Sequence, residues 1–299
     1  MDRRERSQSD LNVDSAAKAP GSRVDTVFFL SDYGLRDEFV GVVHAVLRRL
    51  APHVTVIDLS HEIPPFDVFS GAEALSRAIP HLGPGVVLGI VDPGVGGSRR
   101  GVAFEAGGRW FVGPDNGLLT GAAELVGGIT QAIELRPSIE RQFAEGPGRA
   151  RGRSATFDGR DVFAPAVAGL CNGLEAGDLG AMIDHSSLVR LPAPHLRWRR
   201  GVDGVSELEV AVTWIDRFGN VQVAAGPQDL PGRVVPVQLV STVTGTLQLR
   251  AVRSFSELTA GELGLLVDAN GRFAIVSREE SAAKRTGLQV GDIVRLIWS

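Results

Sequence analysis

Asp92 stands where an apolar run stops. The stretch VVLGIVDPGVGGSRR passes from VVLGIV into a carboxylate, a proline, three glycines and then Arg99 and Arg100. Open α/β sheets build their sites from groups placed at the carboxyl ends of strands, and Asp92 and Arg99 fit that placement. Two further carboxylates share it: Asp32 follows TVFFLS, and Asp58 lies in VTVIDLSHE. Asp32 and Asp92 are the stronger candidates because turn residues follow each at once. A carboxylate after a first strand can accept two hydrogen bonds from a ribose diol, and it can equally cap the next helix.

The glycines of DPGVGG carry neither the Gly-Lys-Ser/Thr ending of a P-loop nor the spacing of a dinucleotide fingerprint. They are expected to let the backbone come close to a compact ligand. The six histidines form no HxH or HExxH pair, so no metal site is expected, and His61 reads as a turn histidine bonded to backbone. No GxSxG nucleophile motif is present. In TFDGRDVFAP, Asp161 is placed to cap a helix and Arg160 to pair with it, whereas Asp158 has no evident structural duty. In TWIDRFGN, Asp216, Phe218 and Asn220 follow one another closely. An aromatic ring beside an amide suits a purine, and Phe-Gly-Asn suits a hairpin turn equally well.

These groups need elements to hold them. From 25 to 191, short apolar runs (TVFFL, VTVIDL, VVLGIV) alternate with helical-period segments such as Phe39, Val42, Val43, Val46, Leu47 and Leu50. Helices are also expected over 68–79 and 162–174. The alternation predicts an α/β domain with a mostly parallel sheet and helices on both faces. Residues 192–205, PAPHLRWRRGVDGV, read as a linker. The remaining segment, 206–299, is a run of short β-rich stretches, expected to form an all-β, barrel-like domain.

The bulk properties remove several classes of function. The 299 residues carry a net charge of −4, which offers no footprint for nucleic acid or a membrane surface. The single cysteine, Cys171, rules out an internal disulfide and sits in an apolar run, as a buried structural thiol does. No apolar window is long enough for a membrane span. Residues 1–24 are polar and lack the apolar core of a signal peptide, so a disordered tail and a cytoplasmic protein are expected.

Taken together, SDYG, IDLSHEIPPFDV, VDPGVGGSRR, GPDNGLL, TFDGRDVFAP, IDRFGN and DANGRFAIVSREESAA resemble, in order, the S-adenosyl-L-methionine hydroxide adenosyltransferases, relatives of fluorinase and chlorinase. The resemblance covers 26–297. It implies a two-domain subunit assembled as a homotrimer, with the site between the first domain of one subunit and the second domain of its neighbour. It implies attack on the ribose C5′ of S-adenosylmethionine, by water to give adenosine and methionine or by halide to give a halogenated adenosine. The small molecule is the substrate, and no cofactor is implied. By resemblance Asp32 holds the ribose diol, Phe66 flanks the ribose and Asp216 faces the methionine ammonium. Phe218 stacks on adenine, Asn220 bonds its edge, and Asn270 contacts the amino-acid end.

Asp92 and Arg99 match two members of the hydrolase triad, a pair the halogenases lack, which tilts the reading toward water. The departure is Asp158. The family reads Phe-His-Gly there, and this chain reads Phe-Asp-Gly. A neutral imidazole donates and accepts; an ionised Asp only accepts. Two carboxylates sharing one arginine repel hydroxide, so hydrolysis is expected to survive but slow down, with Asp158 as substitute base or water anchor. A binding protein with weakened catalysis is the alternative, and the small Gly159 leaves room for slow halide chemistry.

Overall fold

The computed structural model describes residues 24–136, 155–200, 206–230, 238–241, 243 and 245–298. The tail expected over the first residues lies outside this range up to residue 23.

The first domain is one seven-stranded sheet of β1 (Thr26–Ser31), β2 (Thr55–Ser60), β3 (Val86–Ile90), β4 (Gly101–Ala106), β5 (Arg109–Pro114), β6 (Ile129–Leu135) and β7 (Gly180–Ile183), in the order β2-β1-β3-β5-β4-β6-β7. The expected parallel pairing holds for β2, β1, β3 and β5. The strands β4, β6 and β7 run antiparallel, because β4 and β5 form a tight hairpin across Gly107 and Gly108. The sheet is therefore mixed, and its parallel part carries the site.

Alternation along β1 feeds two cores. Val27 and Phe29 pack with α1 (Phe39–Leu50), while Phe28 and Leu30 pack with α2 (Val68–Ala78) and α3 (Thr120–Leu125) on the other face. Helix α1 buries Val40, Val43, Val46 and Leu47, the i, i+3, i+4 stripe of an amphipathic helix, and ends on Arg48 and Arg49, which suit the negative end of its dipole. Helix α2 starts at Asp67, whose carboxylate accepts from the Ser70 amide at 2.9 Å. The helix expected over 162–174 is a π-helical turn, Gly159–Phe163, that runs into α4 (Ala164–Cys171). Cys171 is buried in the core, as expected. A short helix, α5 (Ala176–Leu179), leads into β7.

The segment expected to be a linker holds a strand. β8 (Leu196–Arg200) pairs antiparallel with β9 (Ser206–Ile215), its Trp198 facing Leu208 in register. Trp, Leu and Arg side chains at alternating positions outweigh the Pro and Gly on which the linker reading rested. The second domain is all β: β10 (Val221–Val223), β11 (Gln238–Ser241), β12 (Gly245–Gln248), β13 (Arg250–Ala251), β14 (Leu263–Val267), β15 (Phe273–Ser277) and β16 (Ile293–Trp298) continue the barrel-like sheet β12-β11-β16-β9-β10-β15-β14-β13. A single helix, α6 (Ala282–Thr286), sits between β15 and β16. Trp198 and Trp298 meet edge to face at 5.1 Å over its core. The domains touch where the Arg77 guanidinium of α2 lies 4.1 Å from the Trp214 ring of β9.

Candidate active site

Asp92 follows β3 as expected, and Arg99 returns to it across the glycine turn. Arg99 Nε donates to both Asp92 oxygens, at 2.9 and 3.1 Å, and its Nη2 donates to Asp92 Oδ2. The same Nη2 donates to Asp158 Oδ2 at 2.6 Å. Asp158 is 1% exposed, at the start of the π-helical turn. Burial pulls the Arg99 pKa down, but the hydrogen bonds and charges of Asp92 and Asp158 outweigh it and hold the guanidinium above its ordinary value. Gly96 serves this return. Gly96 adopts a positive φ of 75°, and a Cβ there would lie 2.3 Å from the carbonyl oxygen of Ala155. The turn is pinned against the segment that carries Asp158.

Asp32 sits at the mouth of the same recess. Its Oδ2 accepts from the Phe66 amide at 2.9 Å. Phe66 holds a φ of 69° with its ring 71% exposed. A bulky residue in that region costs of order 1–3 kcal/mol and is kept where the surroundings require it. Burial raises the Asp32 pKa above the ordinary carboxylate value; the Phe66 and Asp32 amides oppose the shift and nearby Asp92 adds to it. Asp32, Tyr33, Phe39, Phe66, Asp92 and Asp158 line one cleft of about 210 Å3. Clefts that enclose a whole drug-sized ligand run from about 300 to 1,000 Å3, so this one has room for only part of such a molecule. Gly159 is small for a reason internal to the cleft: a Cβ there would lie 2.3 Å from the Tyr33 hydroxyl.

The remaining candidates gather on the second domain. Asp216 Oδ1 accepts from the amides of Phe218 and Asn220, both at 2.9 Å, and its Oδ2 accepts from Asn220 Nδ2 at 2.7 Å. TWIDRFGN is thus the hairpin turn between β9 and β10, and that turn presents Phe218, 76% exposed, to a cleft of about 660 Å3 shared with Asn220 and Phe255. Asp216 and Asn220 also line a neighbouring cleft of about 410 Å3 with Asn270 and Arg77. Neither cleft shares a lining residue with the one around Asp92. The structure brings Asp32, Phe66, Asp92, Arg99 and Asp158 together, and separately Asp216, Phe218, Asn220 and Asn270.

Three features escape a reading of spacing. Tyr33, the chain's one tyrosine, packs edge-on against Phe157 at 5.8 Å and floors the first cleft; the SDYG motif was its only signal. Burial, then Asp32, Asp92 and Asp158, push its pKa far up, so it stays a neutral donor. Asp161 is chelated by its neighbour Arg160 at 2.6 and 2.8 Å, as expected for the pair, but lies inside the π-helical turn rather than at a cap. His61 does not bond backbone through its ring: Nδ1 meets Ser31 Oγ at 2.7 Å, and Nε2 lies 3.1 Å from Asp58 Oδ1. His44 completes a group with them that no local spacing announces.

Residues 27–180 match the family model described as the SAM hydroxide adenosyltransferase N-terminal domain, and residues 210–295 match its C-terminal domain. The chain belongs to this family. A protein of Salinispora tropica named (R)-S-adenosyl-L-methionine hydrolase is 41% identical over 90% of this chain and 97% of its own length. A protein of the same name from Thermus thermophilus is 41% identical over 91% and 99%. A fluorinase of Actinoplanes is more distant, at 25% identity over 91% of this chain and 97% of its own. Among solved structures, an uncharacterized conserved protein from Thermotoga maritima superposes with a TM-score of 0.77 at 28% identity, covering 91% of this chain and all of that one. Among the described residues, no helix is long and apolar enough to cross a membrane.

Proposed function

We propose that this protein hydrolyses S-adenosyl-L-methionine to adenosine and L-methionine. The observation that carries the reading is the clamp of Arg99 on Asp92 and Asp158 beside Asp32, in a cleft sized for the ribose end of a nucleoside. The hydrolase names of relatives at 41% identity support it.

The chemistry asks little of the protein beyond placement. A sulfonium leaves as a neutral thioether, so no acid need protonate it and no cofactor is required. Water forms the new bond to C5′ as the C5′–S bond breaks, and the bonding pair passes to sulfur. The proton of the water goes to a carboxylate, Asp158 or Asp92, and from there to solvent. Asp32 accepts hydrogen bonds from the ribose diol and Phe66 covers the sugar. The cleft excludes bulk water and holds the nucleophile in line, and alignment matters more than basicity here. Both carboxylates already accept from Arg99, which holds them in place beside the water.

The reading includes a cytoplasmic homotrimer. Phe218 and Phe66 are both largely exposed on one chain, and the two sets of candidates line different clefts. A neighbour's second domain set against Asp32 and Phe66 would bring adenine onto Phe218 and Asn220, and the amino acid onto Asp216 and Asn270. The direct test is to incubate the protein with S-adenosylmethionine, with and without chloride, and separate the nucleosides by chromatography. Adenosine in both buffers supports hydrolysis. A chlorinated adenosine assigns the protein to halide transfer, and tight binding without product makes it a binding protein.

A further inference from the structure

Behind the cleft, on the far side of β1, three side chains from separate elements converge. His44 projects from α1, Asp58 from edge strand β2, and His61 follows β2. His44 Nε2 lies 2.9 Å from Asp58 Oδ1, and His61 Nε2 lies 3.1 Å from the same oxygen. All three atoms fall within 4.8 Å of one another.

The second observation is that His61 Nε2 is buried and without a hydrogen-bond partner. The residue is 4% exposed, yet Asp58 Oδ1, though near, lies off the direction in which the ring nitrogen bonds. A buried ring nitrogen placed this way has lost its water and kept only an electrostatic contact with one carboxylate oxygen. Its other nitrogen is held by Ser31 Oγ at 2.7 Å. Such a partner on the far ring nitrogen fixes tautomer and ring orientation in metal-binding histidines. Phe29 packs edge-on beneath the His61 ring at 4.6 Å and closes the site from below. His44 and Asp58, partly exposed, leave it open from outside.

We propose that His44 Nε2, Asp58 Oδ1 and His61 Nε2 bind a divalent cation of the zinc class. Two imidazoles and one carboxylate suit zinc, cobalt(II) or nickel(II) rather than calcium or magnesium. Ligand bonds near 2.1 Å put tetrahedral ligand atoms about 3.3 Å apart, so small rotations of His44 and Asp58 seat the ion, with water as fourth ligand. The ion is structural. The His61 carbonyl accepts from the Gly34 amide at 2.7 Å, and Ser31 precedes Asp32, so the site braces the loop that carries Asp32 and Tyr33.

The test uses the full-length, untagged protein, stripped with chelator and titrated with cobalt(II) and then zinc. One equivalent per chain is expected, with the visible absorption of four-coordinate cobalt, a higher melting temperature, and displacement by zinc. His44→Gln, at a partly exposed position, should keep the metal-free melting temperature and lose the bound equivalent. Ser31→Ala should weaken affinity by about tenfold or more. Asp158→Asn should leave binding unchanged, since it lies in the other cleft. Absence of a stoichiometric equivalent in the wild type, or binding undiminished in His44→Gln, would overturn the proposal.

Discussion

One nitrogen of Arg99, Nη2, donates to both Asp92 and Asp158, and its contact with Asp158 is 2.6 Å. Asp158, where the resemblance implies an imidazole, is thus tied as a carboxylate to the same cation as its neighbour. That sharing yields the first two predictions.

Replacing Asp158 with His frees Asp92 from competition for Arg99 and restores a group that both donates and accepts. Turnover of S-adenosylmethionine should rise, with KM little changed. Asp158→Asn should lower kcat by about a hundredfold, the lower range for loss of a positioned base. Equal kcat for wild type and Asp158→His would show that the position is not catalytic in this chain.

Arg99→Met leaves two buried carboxylates facing one another without a cation. Removing one partner of a buried ion pair costs about 3–5 kcal/mol. The urea midpoint should fall accordingly. In the Arg99→Met, Asp158→Leu double variant, with one carboxylate gone, stability should recover in part while activity stays lost.

Asp32 gives the pH dependence. Its pKa is raised by burial, with Asp92 adding to the shift. The carboxylate that accepts from the ribose diol is therefore lost as pH falls through a value above the ordinary Asp range, and KM for S-adenosylmethionine should climb there. In Asp32→Asn, KM should be high and flat across the same interval.

Gly159→Ala forces a Cβ to within 2.3 Å of the Tyr33 hydroxyl. The overpacking should cost about 1–3 kcal/mol, measured by denaturant unfolding. Tyr33→Phe removes the obstructing oxygen, so the double variant should be more stable than Gly159→Ala alone.

Phe218→Ala removes a ring that is 76% exposed and held by a turn it does not stabilise through its side chain. Melting temperature should stay within a degree or so of wild type, as for surface changes away from structural features. KM should rise by about tenfold, the loss expected of one stacking contact worth 1–3 kcal/mol in comparable sites.

What could be read from the sequence was what is local. Asp92 and Arg99 are 7 residues apart, bracketing one glycine turn, and the strand before them is continuous and apolar. Asp158 is 59 residues from Arg99, and only its place in a family motif connected them. Asp58 and His61 are a local i, i+3 pair, but His44 reaches Asp58 from a helix 14 residues earlier, so no three-ligand spacing appears in the chain. The mixed sheet escaped because the β4–β5 hairpin has the same apolar composition as a pair of crossover-linked strands. β8 escaped because Pro and Gly around it outweighed its Trp and Leu in a count of composition. At Phe-Gly-Asn the hairpin turn is real, and it is what exposes Phe218.

The most direct test is to turn over S-adenosylmethionine in heavy-oxygen water and analyse both products by mass spectrometry. Attack at C5′ places the label in the 5′-hydroxyl of adenosine and leaves methionine unlabelled. Label in the amino-acid product, or methylthioadenosine in place of adenosine, would contradict water attack at C5′ beside Asp92, Arg99 and Asp158.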